Sequence, residues 1–508
     1  MIEKRLVLLS LLAVLTTSSP TSVGANETTG GTTSERVTVV ISDLHLGLGQ
    51  RPDKTWDPME DFRWQDALRR FLSYLSAEIK EPVDLVIAGD FFELWQPPKN
   101  VICKGNHADH GCTIPEMKKI LQHVLAAHRD DLLALANFTR GDSNTNRLYI
   151  IPGNHDSALV IPEIWQLVAD AMAAPDGRVT LVANGVWTST DGEVLVEHGH
   201  QIGSDVNRYK KWPRITATHN DREYIIRPWG ELFVQKLFNA EEARYPIIDN
   251  LNPETAGARY RMADRGLWGS IADVAKFIAF NIFETSVAQK AASLGRKPDG
   301  SKPCTHTEVE ALGHRLVLGA LKPDDPFRLQ AEEKTPEAQR LREELDGLVK
   351  AMSDADVQHL CAAQVDTTTL GAFLESTFVP RKEILRGHLE ERITTYPKAA
   401  VFIYGHTHQY ESAWELKLNG GREVTVLNSG AFQRLIDEKG YLKRVEEMDL
   451  GDRKHEGLSR ISLESLAPCY GMVLVRRYGG VRIPEAKMWY MPEGGTGKVV
   501  EPTSPSCR

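Results

Sequence analysis

Apolar residues along this chain fall into short runs that stop abruptly at polar turns. Runs at 37–42, 85–88, 148–152, 194–197 and 401–404 are rich in Val and Ile and too short for helices, so they predict buried strands. Between the early runs the period changes. Trp64, Leu68, Phe71, Leu72, Leu75 and Ile79 recur at helical spacing, and 120–136 and 161–173 repeat that pattern. Residues 179–182 add another strand. The strand–helix alternation predicts an α/β class. Past Gly405 the chain turns strand-rich, with runs at 414–418, 423–427, 472–477 and 487–490.

From 201 to 397 the pattern is different. Ile271, Val274, Ala275, Ile278 and Ile282 follow a helical period, while Asp273, Lys276 and Glu284 interrupt the stretch, so it predicts amphipathic helix and not a membrane span. Residues 302–355 add polar helix, and Pro380 and Pro397 punctuate the return. We expect a helical insertion, or cap, over 201–397, between a first core part at 37–200 and a second at 398–492, with a tail at 493–508. Helices packed on the far side of the fold fit the pattern equally well. The cap is preferred because both its ends join runs that carry the polar segments described below.

The first residues change the picture of where the protein works. Lys4-Arg5, the apolar stretch 6–15 and Val23-Gly24-Ala25 have the layout of a signal peptide cleaved after Ala25. Its apolar part is shorter than the ~20 residues a spanning helix needs. Residues 1–25 are therefore expected to be removed, leaving a flexible leader at 26–36 and an exported, periplasmic or secreted protein with no transmembrane anchor. Six cysteines suit that compartment, although six allow fifteen pairings. Cys103 and Cys112 bracket a short loop and form the favoured bridge. With His107 and His110 they also resemble a zinc set, but an oxidising compartment favours the disulfide. A hydrophobic content of 42% and a charged content of 25% are ordinary for a globular chain. The net charge of −9, with no Lys/Arg run, argues against a nucleic-acid footprint. Nothing here sets an oligomeric state.

The polar segments at the ends of the five runs carry the chemistry. They are Asp43-Leu44-His45, Gly89-Asp90, Gly153-Asn154-His155-Asp156, His198 in Val-Glu-His-Gly-His, and Gly405-His406-Thr407-His408. In open α/β sheets, sites assemble at such strand ends. Carboxylates and an amide oxygen suit hard cations, and imidazoles suit transition metals. The mixture points to two divalent ions, manganese first, with iron or zinc as alternatives. Asp-x-His or Gly-Asp alone is uninformative; Gly-Asn-His-Asp and Gly-His-x-His after strands are far more specific. His198, at the end of its run, is expected to be the ligand, with His200 two residues on reaching substrate or the surroundings of the site.

This ordered set resembles the calcineurin-like metallophosphoesterase superfamily over roughly 37–201 and 399–432. The resemblance implies a two-sheet sandwich flanked by helices, acting on a phosphorylated substrate. It implies one metal on Asp43, His45 and His408, a second on Asn154, His198 and His406, and Asp90 between them. A metal-bridged hydroxide would attack phosphorus in line, hydrolysing a phosphate ester or anhydride. His155, held by Asp156, is the expected proton donor to the leaving oxygen. Glu93 is expected to orient a neighbour and not to ligate. Asn428-Ser429-Gly430 reads as a turn, and Trp95 and Tyr410 as core packing more than as platforms for a base or sugar. Ile-Ser-Asp-Leu-His-Leu-Gly and Gly-Asp-Phe-Phe-Glu-Leu-Trp are also similar to the UDP-2,3-diacylglucosamine pyrophosphohydrolases. That branch usually has Arg where His155 stands and an acidic residue where His200 stands. A pyrophosphohydrolase of a nucleotide-sugar or lipid-linked substrate is thus one alternative. A metal-stabilised binding protein without turnover is another, and the full ligand set argues against it.

Overall fold

Among the described residues, four layers stack helix, sheet, sheet, helix with apolar clusters between them. The computed structural model describes residues 35–105, 110–140, 145–203, 207–235, 239–242, 244–252, 305, 307, 381–451 and 453–507. All lie in the unit Glu35–Arg508. The expected signal peptide, most of the leader and the bulk of the expected insertion, with Ile271–Ile282 of the helical pattern, Cys304 and Cys361, lie outside these residues.

The strands in chain order are β1 (Val37–Ile41), β2 (Val83–Ala88), β3 (His110–Thr113), β4 (Arg147–Ile151), β5 (Val179–Leu181), β6 (Val186–Thr188), β7 (Val194–Glu197), β8 (Thr216–His219), β9 (Arg222–Ile226) and β10 (Leu251–Asn252). After the insertion come β11 (Val401–Tyr404), β12 (Tyr410–Lys417), β13 (Glu423–Ser429), β14 (Ile436–Asp437), β15 (Cys469–Tyr478), β16 (Val481–Tyr490) and β17 (Lys498–Val500). One sheet has the order β17-β16-β15-β1-β2-β4-β5, the other β12-β13-β11-β7-β6. In the first, β1, β2, β4 and β5 run parallel. In the second, β7, β11 and β13 run parallel. Strands β1, β2, β7 and β11 are buried along their whole length and read as continuous apolar runs, which is why they were legible.

Between the sheets, Val40, Val86, Ala88 and Ile151 of one meet Val196, Ile403 and Leu427 of the other. The outer face of the first sheet packs on helices α1 (Gln65–Glu78), α2 (Ile114–Ala127), α3 (Arg129–Phe138) and α4 (Pro162–Met172). The outer face of the second packs on the helix Arg381–Thr395 through Leu385 and Leu389. Helix α1 buries Ala67, Leu68, Phe71, Leu72 and Leu75, the stripe its spacing predicts. Helix α2 starts with a capping box in which Thr113 and Glu116 satisfy each other's backbone N–H, and it carries Pro115 in its first turn.

Two elements differ from expectation. The single helix over 120–136 is two helices broken at His128, whose backbone leaves helical geometry (φ −108°, ψ 26°). Its imidazole is buried between Asp131 (Nδ1 to Oδ2 3.0 Å) and Glu60 (Nε2 to Oε2 3.4 Å). The start of the insertion is strand before it is helix. Strands β8 and β9 form a hairpin that pairs with β3, giving a three-stranded sheet. Strand β3 contains Cys112, which is bridged to Cys103 as expected, and Cys469 is bridged to Cys507. Among the described residues no helix is long and apolar enough to cross a membrane.

Candidate metal centre

Parallel strands present their C-terminal ends on one edge. Strands β1, β2 and β4 of one sheet end at Asp43, Asp90 and Asn154, and β7, β11 and β13 of the other end at His198, His406 and Asn428. Within each sheet the neighbouring turns are laced together. The N–H groups of Asp43 and His45 donate to the carbonyls of Gly89 and Asp90 (3.1 and 3.0 Å), and Gly405 N–H donates to the His198 carbonyl (2.8 Å). Ten described residues other than glycine have left-handed φ, and five of them are Asp43, His45, Asp90, His406 and His408. Such backbone is costly for residues with a Cβ and persists where surrounding bonds over-determine it. The glycines of the motifs have a plain reason. A Cβ on Gly89 would collide with the His198 ring, and one on Gly405 with Ser42 and Asp43.

Six of the seven expected ligands converge in two adjacent groups, Asp43, His45 and His408, and Asp90, His198 and His406, and the seventh, Asn154, lies beside His198. In the first, His45 Nε2 and His408 Nε2 face each other at 3.3 Å. Asp43 Oδ1 is 3.5 Å from His408 Nε2, and that buried oxygen has no hydrogen-bond partner. In the second, His198 Nε2 lies 3.0 Å from both Asn154 Oδ1 and Asp90 Oδ2. Asp90 Oδ2 is also 3.9 Å from His45 Nε2, so this carboxylate stands between the groups. His198 Nδ1 donates to the Ala88 carbonyl (2.9 Å), which leaves Nε2 as the ring atom that faces the group. Facing imidazole nitrogens and an unsatisfied buried carboxylate oxygen are what divalent cations resolve. The residues fit two ions with mixed N/O ligation.

Charges in the cluster lean on one another. Burial alone would raise Asp90, yet His198, His155 and His45 hold it well below the usual carboxylate range. Burial would depress His198, but Asp90 and Asp43 push it up to about 9. Burial and the neighbouring His198 bring His406 down to about 3. Protons thus neutralise the carboxylates where cations otherwise would, and cation binding would displace them.

The surroundings correct one expectation and sharpen another. His155 does not pair with Asp156. Its Nδ1 sits 2.5 Å from Glu93 Oε2, its backbone N–H donates to Asp90 Oδ1 (2.8 Å), and its ring stacks on Trp95 at 4.0 Å. Glu93 also accepts from His45 Nδ1 (3.1 Å) and from Trp95 N–H (2.7 Å), the orienting role its position suggested. Burial would raise Glu93, but the two histidines hold it at about 2. Asp156 instead accepts the backbone N–H groups of Gly153 (2.6 Å), Phe91 (2.9 Å) and Phe92 (3.3 Å), clamping two ligand-bearing turns together. It is only one residue from His155, but the sharp turn sends the two side chains to different partners.

His200 is buried, its ring 5.3 Å from His198 and 5.0 Å from Trp212, and its Nδ1 has no hydrogen-bond partner. Asn428, expected to be a simple turn residue, is buried and its amide donates to the Gly405 carbonyl (3.1 Å) and Thr407 Oγ1 (3.0 Å), bracing the Gly-His-x-His turn. The available signal was its place at the end of an apolar run, like the five segments. Tyr410 is half-buried and its hydroxyl donates to the Ala486 carbonyl (3.1 Å), away from the two groups.

This geometry meets an independent finding. Residues 37–274 match the calcineurin-like phosphoesterase family model. No curated protein matches the chain. The match covers somewhat under half of the 508 residues and runs past residue 200, into the segment expected as insertion. It does not single out the UDP-2,3-diacylglucosamine branch. His406 and His408 lie outside it, yet they complete both groups. The similarity to calcineurin-like phosphoesterases over 37–274, together with these clustered His and Asp residues, fits a metal-dependent phosphoesterase.

Proposed function

We propose that this protein hydrolyses phosphate esters or anhydrides at a dinuclear centre, with Asp43, His45 and His408 holding one divalent cation, Asn154, His198 and His406 the other, and Asp90 between them. The observation that carries the reading is the position of Asp90 Oδ2, 3.0 Å from His198 Nε2 and 3.9 Å from His45 Nε2. Two cations there would polarise the phosphoryl oxygens and make a shared water acidic enough to attack phosphorus at neutral pH. The chain's own residues do the rest. Ionised Glu93 accepts from His155 Nδ1, which fixes the ring and reserves Nε2 for the leaving oxygen. Trp95 stacked on the ring prevents it from swinging away. His155 thus serves as proton donor, or braces the charge that develops on the departing oxygen.

The donor set favours manganese, with iron or zinc able to substitute. Export to the periplasm or medium is part of the same reading, and the two disulfides are compatible with it. Metal content of the purified protein, followed by turnover of an aryl phosphate monoester, a diester, and nucleotide-sugar and lipid-linked pyrophosphates, tests it. Two metal equivalents with turnover of at least one substrate class is the expected result. Two equivalents with no turnover across the panel would favour a metal-stabilised binding protein instead.

A further inference from the structure

The end of β7 that leads into His198 is gripped from its outer side by a buried ionic cluster. Side chains alternate along a strand. In β7, Val194 and Val196 face the other sheet, while Leu195 packs outward with Leu385 and Leu389 of the helix Arg381–Thr395. Glu197, two residues past Leu195, lies on that outward face and is only 3% exposed. Arg392 reaches it as a fork, Nε to Oε1 at 2.7 Å and Nη2 to Oε2 at 3.1 Å. His388, one helical turn before Arg392, places Nε2 at 3.1 and 3.2 Å from the same two oxygens. The next residue in the chain is His198. We propose, on the dinuclear reading above, that Glu197, His388 and Arg392 are positioning residues for the metal centre. Through them the helix Arg381–Thr395 sets the place of His198, and a bound cation in turn holds the helix more firmly.

Adhesion alone does not call for charge at this place. Leu385 and Leu389 already seat the helix on the apolar patch around Leu195 and Phe402. A buried ion pair generally adds little stability over apolar residues of the same volume. What a bidentate fork adds is direction, since two parallel N–H···O contacts fix the carboxylate against the guanidinium plane. That fixes the last residue of β7. One residue on, the His198 ring spans a set gap, with Nδ1 2.9 Å from the Ala88 carbonyl and Nε2 3.0 Å from both Asn154 Oδ1 and Asp90 Oδ2. Ligand constellations tolerate displacements of only about 0.5 Å. The His198 carbonyl also accepts the Gly405 N–H (2.8 Å), so a shift at Glu197 reaches the turn that carries His406. His198 and His406 serve the same cation, which makes the effect selective. Linkage runs both ways: what the helix contributes to cation affinity, the cation returns to the stability of the helix.

The test uses the full-length protein, freed of metal with a chelator and titrated with manganese by calorimetry well below its melting temperature. Hydrogen exchange of peptides covering 381–395 is measured in parallel. In the wild type, manganese should slow exchange in this helix about tenfold. In Glu197→Gln and Arg392→Met, one of the two manganese equivalents should weaken about tenfold, the other should stay as in the wild type, and the exchange effect should vanish. Arg392→Met leaves His388 on the carboxylate and guards against a fold that fails in Glu197→Gln. Arg392→Lys, which keeps the charge without the fork, should melt near the wild-type temperature when metal-free and still lose affinity at that one equivalent. A purely structural clamp would lower the metal-free melting temperature of Glu197→Gln and Arg392→Met and leave both equivalents intact. That result, equal weakening of both equivalents, or helix exchange in the wild type that ignores manganese overturns the proposal. A wild-type protein that takes up no manganese pair overturns the dinuclear reading first, and this coupling with it.

Discussion

Replacing Asp156 separates two roles that its neighbour His155 makes easy to confuse. Its carboxylate is fully buried and accepts three backbone N–H groups, from Gly153, Phe91 and Phe92. Asp156→Ala would leave all three donors in the interior without partners. Each unsatisfied buried donor costs about 1–3 kcal/mol, so the loss should be roughly 3–6 kcal/mol after partial relaxation. Asp156→Asn is the finer probe. Its oxygen can keep Phe91 and Phe92, but its NH2 then faces the Gly153 N–H, a loss of about 1–3 kcal/mol. Because Gly153 precedes Asn154, and Phe91 follows Asp90, both variants should loosen ligands as well. We expect metal content to fall with stability, Asn less than Ala, measured by elemental analysis and urea denaturation. Turnover per bound metal pair should change little. An Asp156→Asn protein with full metal and an unchanged denaturation midpoint, but kcat reduced as far as in a His155 variant, would refute the clamp and restore the acid-pair role.

Other consequences are equally direct. His155→Ala should retain metal and lose about 10²–10⁴ in kcat, with alkyl phosphates suffering more than aryl phosphates, whose leaving groups need no proton; equal losses for both would argue against proton donation. His198→Ala should lose metal, whereas His200→Ala should keep it, and the reverse pattern in metal analysis would overturn the ligand assignment. His128, which burial would depress, is pushed up to about 9 by Glu60 and Asp131. Its folded value lies above the unfolded 6.5, so its contribution is fully present below pH 6.5 and is lost as pH rises through 9. The shift corresponds to about 3 kcal/mol. The stability gap between wild type and His128→Phe should therefore narrow by about that much between pH 6 and pH 9.5; a gap that does not change with pH would show that the pair adds no charge-dependent stability.

What the chain declared locally was what burial and backbone geometry write into consecutive residues. Strands buried on both faces appear as uninterrupted Val/Ile runs, as at 37–42 and 401–404, and the apolar stripe of α1 appears at its helical period. Glycines of Gly89-Asp90 and Gly405-His406 mark close approaches that leave no room for a Cβ. Strand ends therefore coincided with the polar segments, and the candidate donors were readable before any coordinates, while their division into two groups came from the resemblance. The short Cys103–Cys112 loop was readable too, because nine residues of separation leave few other partners within reach.

Tertiary structure decided whatever depends on which distant segments meet. Adjacency suggested that Asp156 serves His155, but the left-handed turn at Asp90 brings Phe91 and Phe92 under Asp156, and the stretch after it brings Glu93 under His155, from more than 60 residues away. Where the helix over 120–136 breaks, at His128, Glu60 from 68 residues earlier is buried beside the ring; an apolar period carries no record of that contact. The start of the insertion forms strands because β3 offers an open edge to β9, a partner more than 100 residues upstream. Periodicity records whether a residue is buried, since burial recurs along one element. It does not record what the residue is buried against, since that is set by packing between elements.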